Sequence, residues 1–210
     1  MRLVRALALA GLSAAVVTGA DARVLRPSIG EVEKLVMSAE ALFEARSREL
    51  GNASNVYFED TLRTGRAARL QARLADDTVL TLGENAEVLI DEFVYQPWSN
   101  EGQLDLNVVA GAFLFVGGRV EDGGQSEVTI KTPVGTLGIR GTTVWGGHID
   151  GGYGVLVLDG EVEVETANGT VLLRGGQGTM VYEGEAPEAA APWPQDRTAR
   201  AVKTISFPSR

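Results

Sequence analysis

Few side chains in this sequence have the types and spacing that catalysis requires. His148 is the only histidine, and the chain contains no cysteine. Zinc sites and Ser-His or Cys-His nucleophiles therefore lack the partners they need. No serine stands in a G-x-S-x-G elbow, and no paired glycines precede a P-loop lysine. The sequence predicts no catalytic residue, no cofactor and no metal, and hence a protein that is not an enzyme.

Three groups of polar residues have simpler interpretations than a chemical site. Asp76, Asp77 and Asp150 could donate oxygens to Ca²⁺, but no spaced oxygen ladder accompanies them, so β-turns are favoured. His148 stands among glycines and is expected to decorate a loop. The third group consists of Glu161, Glu163 and Glu165. These glutamates could bind a cationic partner, although the solvated face of a half-buried strand is the favoured explanation.

Four aromatic residues near predicted turns are the candidate binding residues. They are Tyr95, Trp98, Trp145 and Tyr153. An exposed ring can stack on a sugar or anchor a protein partner. Packing at the end of a sheet is the favoured interpretation of each residue, because large rings are more often buried than exposed.

The elements that would position these residues are short strands. Apolar and polar residues alternate from Leu62 to Tyr182, for example at Leu70, Ala72 and Leu74, which predicts strands with one buried face. Turns are expected at the dipeptides that tolerate positive φ. These dipeptides are Asp122-Gly123, Asp150-Gly151, Asp159-Gly160 and Asn168-Gly169. Frequent turns and 26 glycines predict an all-β fold, which could be a sandwich, a barrel or a solenoid.

The segment from Lys131 to Thr143 predicts a tight corner, because its glycines allow φ values closed to other residues and its proline cannot donate to a ladder. Arg140 is expected to tie down neighbouring carbonyls or a carboxylate there. The proposed structural motif is Thr132, Pro133, Gly135, Arg140, Gly141 and Thr142, together with Gly160.

This corner resembles the motif of the FecR domain family, and the resemblance extends over about residues 29–182. The other matching segments follow in order along the chain. They are Asp60–Gly65, Leu74–Asn85, Val88–Tyr95, Leu104–Phe115, Val157–Val164 and Leu173–Gln177. The resemblance implies an extended, twisted all-β body of solenoid or sandwich-like character.

Members of that family include inner-membrane regulators whose periplasmic part relays a signal from an outer-membrane transporter to a cytoplasmic sigma factor. This sequence shows neither an anti-sigma segment nor an apolar run in mid-chain that could span a membrane. The resemblance therefore implies an extracytoplasmic interaction domain, and it leaves transmembrane relay by this chain alone in doubt.

The first 22 residues have the features of a secretory signal peptide. Arg2 and Arg5 precede a 12-residue apolar stretch, Ala6 to Val17, and Ala20-Asp21-Ala22 fits a cleavage site. The stretch is shorter than the ~20 residues a membrane span needs. Cleavage removes two arginines and one aspartate, which takes the formal charge from −9 to −10. Such an acidic chain is not expected to bind nucleic acid.

The predicted organisation is a signal peptide at 1–22, a β-domain at 23–184 and an Ala/Pro-rich linker and tail at 185–210. Residues 29–50 combine helical spacing with strand-like triplets, and the family resemblance favours a strand for 29–37 and leaves 38–50 open. A short helix beginning near Pro194 is expected in the tail. Its docking is undecided, since so short a helix needs tertiary contacts.

The expected function is non-enzymatic interaction or signalling by a periplasmic or secreted FecR-like domain. The partner would be an envelope protein or a polysaccharide, and the mature chain would not span a membrane. The alternative is an envelope glycan-binding module that uses the four aromatic residues.

Overall fold

The structure is a computed structural model that describes residues 26–96, 101–122 and 125–208. The predicted signal peptide, Trp98 and Gly123 lie outside the described residues. Sixteen strands form one sheet in the described part of the chain. The strands are β1 Ser28–Val36, β2 Ala39–Phe43, β3 Arg46–Glu49, β4 Asn55–Tyr57, β5 Thr61–Thr64, β6 Arg69–Leu74, β7 Val79–Leu82, β8 Glu87–Tyr95, β9 Glu101–Ala110, β10 Phe113–Val116, β11 Gln125–Thr132, β12 Gly135–Ile149, β13 Gly152–Thr166, β14 Gly169–Arg174, β15 Gln177–Val181 and β16 Ala191–Pro192. A 3₁₀ turn at Arg119–Asp122 and helix α1, Gln195–Ile205, complete the fold.

The sheet curls on itself without closing. Its strands run in the order β3-β2-β5-β8-β9-β11-β12-β10-β7-β6-β1-β4, with β13, β14, β15 and β16 added beside β12. Most pairs are antiparallel, and β9 and β11 are parallel. The two longest strands, β12 and β13, pair along nearly their whole length and form one ribbon. The predicted all-β fold is confirmed.

The core lies on the inner face of the curl. On β6 the observed burial follows the alternation in the sequence. Leu70, Ala72 and Leu74 are buried, while Gln71 and Arg73 are half-exposed. Inner residues of the other strands join them in one cluster that includes Phe113 and Phe115. Because one face of each strand is buried, the period of two fixes the register of the sheet.

The ambiguous N-terminal segment forms three strands separated by short turns. Strand β1 ends at Val36 and covers the predicted strand at 29–37 except Met37, as the family resemblance favours, and 38–50 contain β2 and β3. Met37 and Glu44 adopt φ values of 63° and 52°, which lets the chain reverse between these strands. The helical alternative is wrong because pairing with β5 and β6 buries Val32, Ala39 and Ala41 on one face.

Asp60 connects the N-terminal strands to the rest of the sheet. This carboxylate is buried, and it accepts hydrogen bonds from Arg26 Nη1 at 2.7 Å, Arg48 Nη2 at 2.8 Å and the backbone amide of Tyr57 at 3.0 Å. Bonds to a charged acceptor are stronger than neutral ones. Asp60 therefore holds β3 and β4 near the start of β5.

Helix α1 docks on the outer face of the sheet. Its Ala201 and Ile205 pack with Trp145 and Leu156, and Trp145 Nε1 donates to Thr204 Oγ1 at 3.0 Å. This docking gives the short helix the tertiary contacts it needs. The preceding tail also pairs as β16 with β15. No helix among the described residues is long and apolar enough to cross a membrane.

Candidate functional site

Two glycines bend the β12–β13 ribbon. Gly141 has φ of 59° and Gly160 has φ of 82°, both in the left-handed region that favours glycine. The pairing register shifts between Arg140 and Thr143, which is the signature of a β-bulge. A Cβ on Gly160 would overlap Gly141 O and lie 2.7 Å from its carbonyl carbon. The predicted turn at Asp159-Gly160 is therefore wrong, because Gly160 is a bulge inside β13.

Thr142 holds this corner. Its hydroxyl lies 2.7 Å from Arg140 O and 3.0 Å from Glu161 O, and its backbone amide donates to Glu121 Oε2 at 3.1 Å. The side chain of Arg140 is exposed and makes no hydrogen bond to a described residue. The tie that the sequence assigns to the Arg140 guanidinium is thus made by the Thr142 hydroxyl.

The first part of the motif closes the turn between β11 and β12. Thr132 Oγ1 donates to Gly135 O at 2.8 Å, across Pro133. A Cβ on Gly135 would overlap Glu165 O on the neighbouring strand, so glycine allows the close approach of two backbones there. This turn is the end of the ribbon opposite to the β12–β13 turn at Asp150 and Gly151.

The bend brings both ends of the ribbon to one cleft. The cleft is open and measures about 830 Å³, and residues from both ends line it. They are Pro133, Val134, His148, Ile149, Asp150, Gly151, Gly152, Tyr153, Thr166, Ala167 and Asn168, together with residues 181–185. The cleft is thus a consequence of the glycine corner, and a concave surface with a few polar groups is the usual form of a ligand site.

Two of the four candidate aromatics are buried. Trp145 is fully covered by α1, and its ring meets that of Trp193 edge to face at 6.0 Å. Tyr153 is 2% exposed on the wall of the cleft. Their burial agrees with the packing that the sequence favours over stacking, because docking of the tail and folding of the ribbon cover both rings. This burial removes two supports of the glycan-binding alternative.

Tyr153 carries a buried hydroxyl without a hydrogen bond to a described residue. Burial raises the pKa of its phenol, and the nearby Thr132 side chain opposes that shift. Thr132 Oγ1 already donates to Gly135 O, and its contact with Tyr153 lacks hydrogen-bond geometry. An unpaired buried hydroxyl costs free energy.

Tyr95 is the remaining described candidate. Its ring is half-buried, and the guanidinium of Arg119 lies 5.5 Å from the ring centroid. Trp98 lies outside the described residues. A binding role for these two residues stays a prediction.

The charges at the cleft are unevenly paired. Asp150 accepts from Arg197 Nε at 3.0 Å and from Arg200 Nη2 at 2.9 Å, both on α1. Glu183 and Glu185 are exposed, and neither side chain forms a salt bridge to a described residue. The free negative charge of the cleft is therefore carried by these two glutamates.

His148 is exposed beside the cleft. Its ring meets the edge of Tyr153 with centroids 5.2 Å apart. No group of three or more potential ligands that could hold a metal occurs in the described residues. Within the described ranges, the side-chain contact that the structure gives His148 is this packing against Tyr153.

The turn at Asp76 and Asp77 has a structural role. Asp76 is buried and accepts hydrogen bonds from the Thr78 hydroxyl at 2.6 Å, the Thr78 amide at 3.2 Å and the Val120 amide at 3.2 Å. Asp77 has φ of 70° and pairs with Arg119 at 2.9 Å. Both carboxylates of this turn therefore have partners within the protein. This arrangement fits a β-turn, which the sequence favours over a calcium site.

Strand β14 presents an unprotected edge. It pairs only with β13, and at six residues it is the longest described strand that has a single neighbour along its whole length. Leu172 on β14 is 39% exposed, and Leu158 on β13 is 41% exposed. The sequence does not predict this edge, since strand neighbours are set by long-range pairing. One local sign of it is the apolar run Val171, Leu172 and Leu173, in which apolar and polar residues do not alternate.

Part of the chain is similar to known proteins. Residues 60–163 match the family model described as FecR protein. No curated protein matches the chain. Two crystal structures of a candidate anti-sigma factor from Parabacteroides distasonis ATCC 8503, at 2.50 and 1.65 Å resolution, are similar at 17% identity and a TM-score of 0.48. Each match covers 61% of this chain and 57% of that protein, less than two thirds of its length.

The family match includes the corner and most of the strands that form the core. It contains Thr132, Pro133 and the bulge glycines Gly141 and Gly160, and it ends within β13. Residues 60–163 form a FecR domain.

Proposed function

We propose that the chain is a non-enzymatic, extracytoplasmic FecR protein that binds another protein of the cell envelope by strand addition to β14. The single observation that carries this proposal is the unprotected edge of β14. An exposed edge offers backbone donors and acceptors to an added strand, and neighbouring side chains supply specificity.

The other edge strands are protected, which is why we propose β14 as the strand that binds a partner. Proteins protect edges by charged residues, by proline or by shortness. Strand β3 has the sequence Arg-Ser-Arg-Glu, while β4 and β16 are three and two residues long. The central residues of β14, Thr170 to Leu173, carry no charge and no proline. An edge of this kind is an aggregation hazard unless a partner covers it.

The outer surface next to β14 sets the expected chemistry of the partner. Glu163 on β13 is exposed beside Leu172, while Glu161 pairs with Arg174 at 3.1 Å. A partner strand with apolar and basic side chains on its outward face would complement Leu172 and Glu163.

Export is tested by fusing residues 1–40 to alkaline phosphatase, which is active only outside the cytoplasm. We expect phosphatase activity, and its loss when Arg2 and Arg5 are replaced by glutamate, because the basic start directs secretion. An inactive wild-type fusion that is expressed at the same level would contradict the extracytoplasmic part of the proposal.

Binding is tested by affinity capture from crosslinked envelopes, comparing the wild-type chain with Leu172→Lys. Val109→Lys is the matched control, because Val109 is an exposed apolar residue on β9, at 51%. We expect one protein to be recovered by the wild type and the control and lost from Leu172→Lys. Equal recovery by both variants, or capture of a second copy of this chain alone, would exclude an envelope partner at β14.

A further inference from the structure

We infer that the cleft at the folded ends of the β12–β13 ribbon binds a lysine- or arginine-containing segment of a protein. The inference extends the proposed function by a second contact, yet it rests on separate residues. The cleft could bind such a segment whether or not a strand adds to β14.

The first argument is charge. Glu183 and Glu185 line the cleft and form no salt bridge within the described residues, whereas Asp150 at the same rim is neutralised by Arg197 and Arg200. The cleft therefore offers two uncompensated carboxylates. Anionic ligands are disfavoured there, and a cationic side chain is attracted.

The second argument is the shape and polarity of the wall. Val134, Ile149 and Val181 give the cleft an apolar wall. Lysine and arginine place an apolar stem along such a surface while the charged end reaches the rim. A small inorganic cation would gain nothing from this wall, so the combination favours a basic side chain.

The third argument is independent of charge and comes from Tyr153. Its side chain lines the cleft, is 2% exposed and has a hydroxyl without a hydrogen bond to a described residue. This hydroxyl can accept from an ammonium or guanidinium group or donate to a peptide carbonyl. A bound segment would thus satisfy a buried polar group that the fold leaves unpaired.

The test is an NMR titration of the purified full chain with two capped peptides, acetyl-Gly-Lys-Val-Lys-Gly-amide and acetyl-Gly-Gln-Val-Gln-Gly-amide. We expect saturable shifts of the amides of His148, Tyr153, Asn168 and Glu183 with the lysine peptide only. No shift at these amides, or equal shifts with the glutamine peptide, would overturn the inference.

Variants separate the site from general attraction to an acidic protein. We expect Glu183→Gln with Glu185→Gln to weaken binding of the lysine peptide about fivefold, as two partly exposed ion pairs would. Glu31→Gln with Glu127→Gln makes the same charge change at exposed positions outside the cleft, and it should change binding less than twofold. Equal weakening by both double variants would overturn the inference.

A third variant fills the cleft with its own cation. Val134 is a half-buried residue of the β11–β12 turn, so Val134→Lys should fold and compete with the peptide. We expect it to abolish binding, while Val109→Lys leaves binding unchanged; unaltered binding by Val134→Lys would overturn the inference. None of these variants alters β14, so failure here leaves the edge-strand proposal intact, and failed capture at β14 leaves this site intact.

Discussion

Replacing each bulge glycine by alanine tests whether the corner depends on close backbone approach. Gly141 and Gly160 share positive φ, so alanine at either position costs about 1 kcal/mol of left-handed strain. The space around them differs. A Cβ on Gly141 meets nothing within 4 Å, whereas one on Gly160 would overlap Gly141 O and lie 2.9 Å from Thr142 Cα.

The expected loss of stability of each variant is the sum of the backbone strain at positive φ and the steric overlap of the new Cβ atom. Gly141→Ala should lower the free energy of unfolding by about 1 kcal/mol. Gly160→Ala must also push β12 and β13 apart, and overpacking of this kind costs a further 1–3 kcal/mol, which gives a total of about 3 kcal/mol. The two variants differ by one methyl group each from the same parent, so their comparison isolates the overlap.

Urea unfolding followed by tryptophan fluorescence measures this difference. With a slope near 2 kcal/mol per molar urea, the midpoint should fall by about 0.5 M for Gly141→Ala and about 1.5 M for Gly160→Ala. Equal shifts, or a larger shift for Gly141→Ala, would refute the claim that the strands touch backbone to backbone at this corner.

Three further substitutions test other parts of the structure. Tyr153→Phe should leave stability unchanged or raise it by about 1 kcal/mol in urea unfolding, because it removes an unpaired buried hydroxyl; a loss above that amount would show that the hydroxyl is bonded. Asp60→Asn should cost about 2 kcal/mol, since it removes a buried charge that two arginines share, and an unchanged thermal midpoint would contradict that role. Thr204→Val should cost about 1 kcal/mol by leaving the Trp145 indole N–H unpaired, and its tryptophan emission should change; an identical spectrum would argue against docking of α1.

Local patterns predict much of this fold. Alternation at Leu70, Ala72 and Leu74 indicates a buried strand face, and the burial of all three residues confirms it. The turn at Asp76 and Asp77 is equally predictable from the sequence, because turn residues form hydrogen bonds with their own neighbours along the chain. Such features depend on sequence separations of a few residues.

Other features depend on contacts that local patterns cannot specify. Asp159-Gly160 has the same letters as Asp150-Gly151, yet Gly160 lies opposite Gly141 within a ribbon and Gly151 lies in a turn. The burial of Trp145 requires a helix some fifty residues later, with the Thr204 bond spanning 59 residues. The free edge of β14 likewise follows from which strands pair with β13, and the cleft follows from the bend of the ribbon.

Site-specific photocrosslinking in living cells tests the central claim most directly. A benzophenone amino acid at Leu172 places the reactive group beside the free edge of β14, and the same amino acid at Val109 places it on another exposed strand position. The account predicts a discrete adduct with one envelope protein from position 172 and none from 109. Adducts of equal yield from both positions, or none from either, would contradict it.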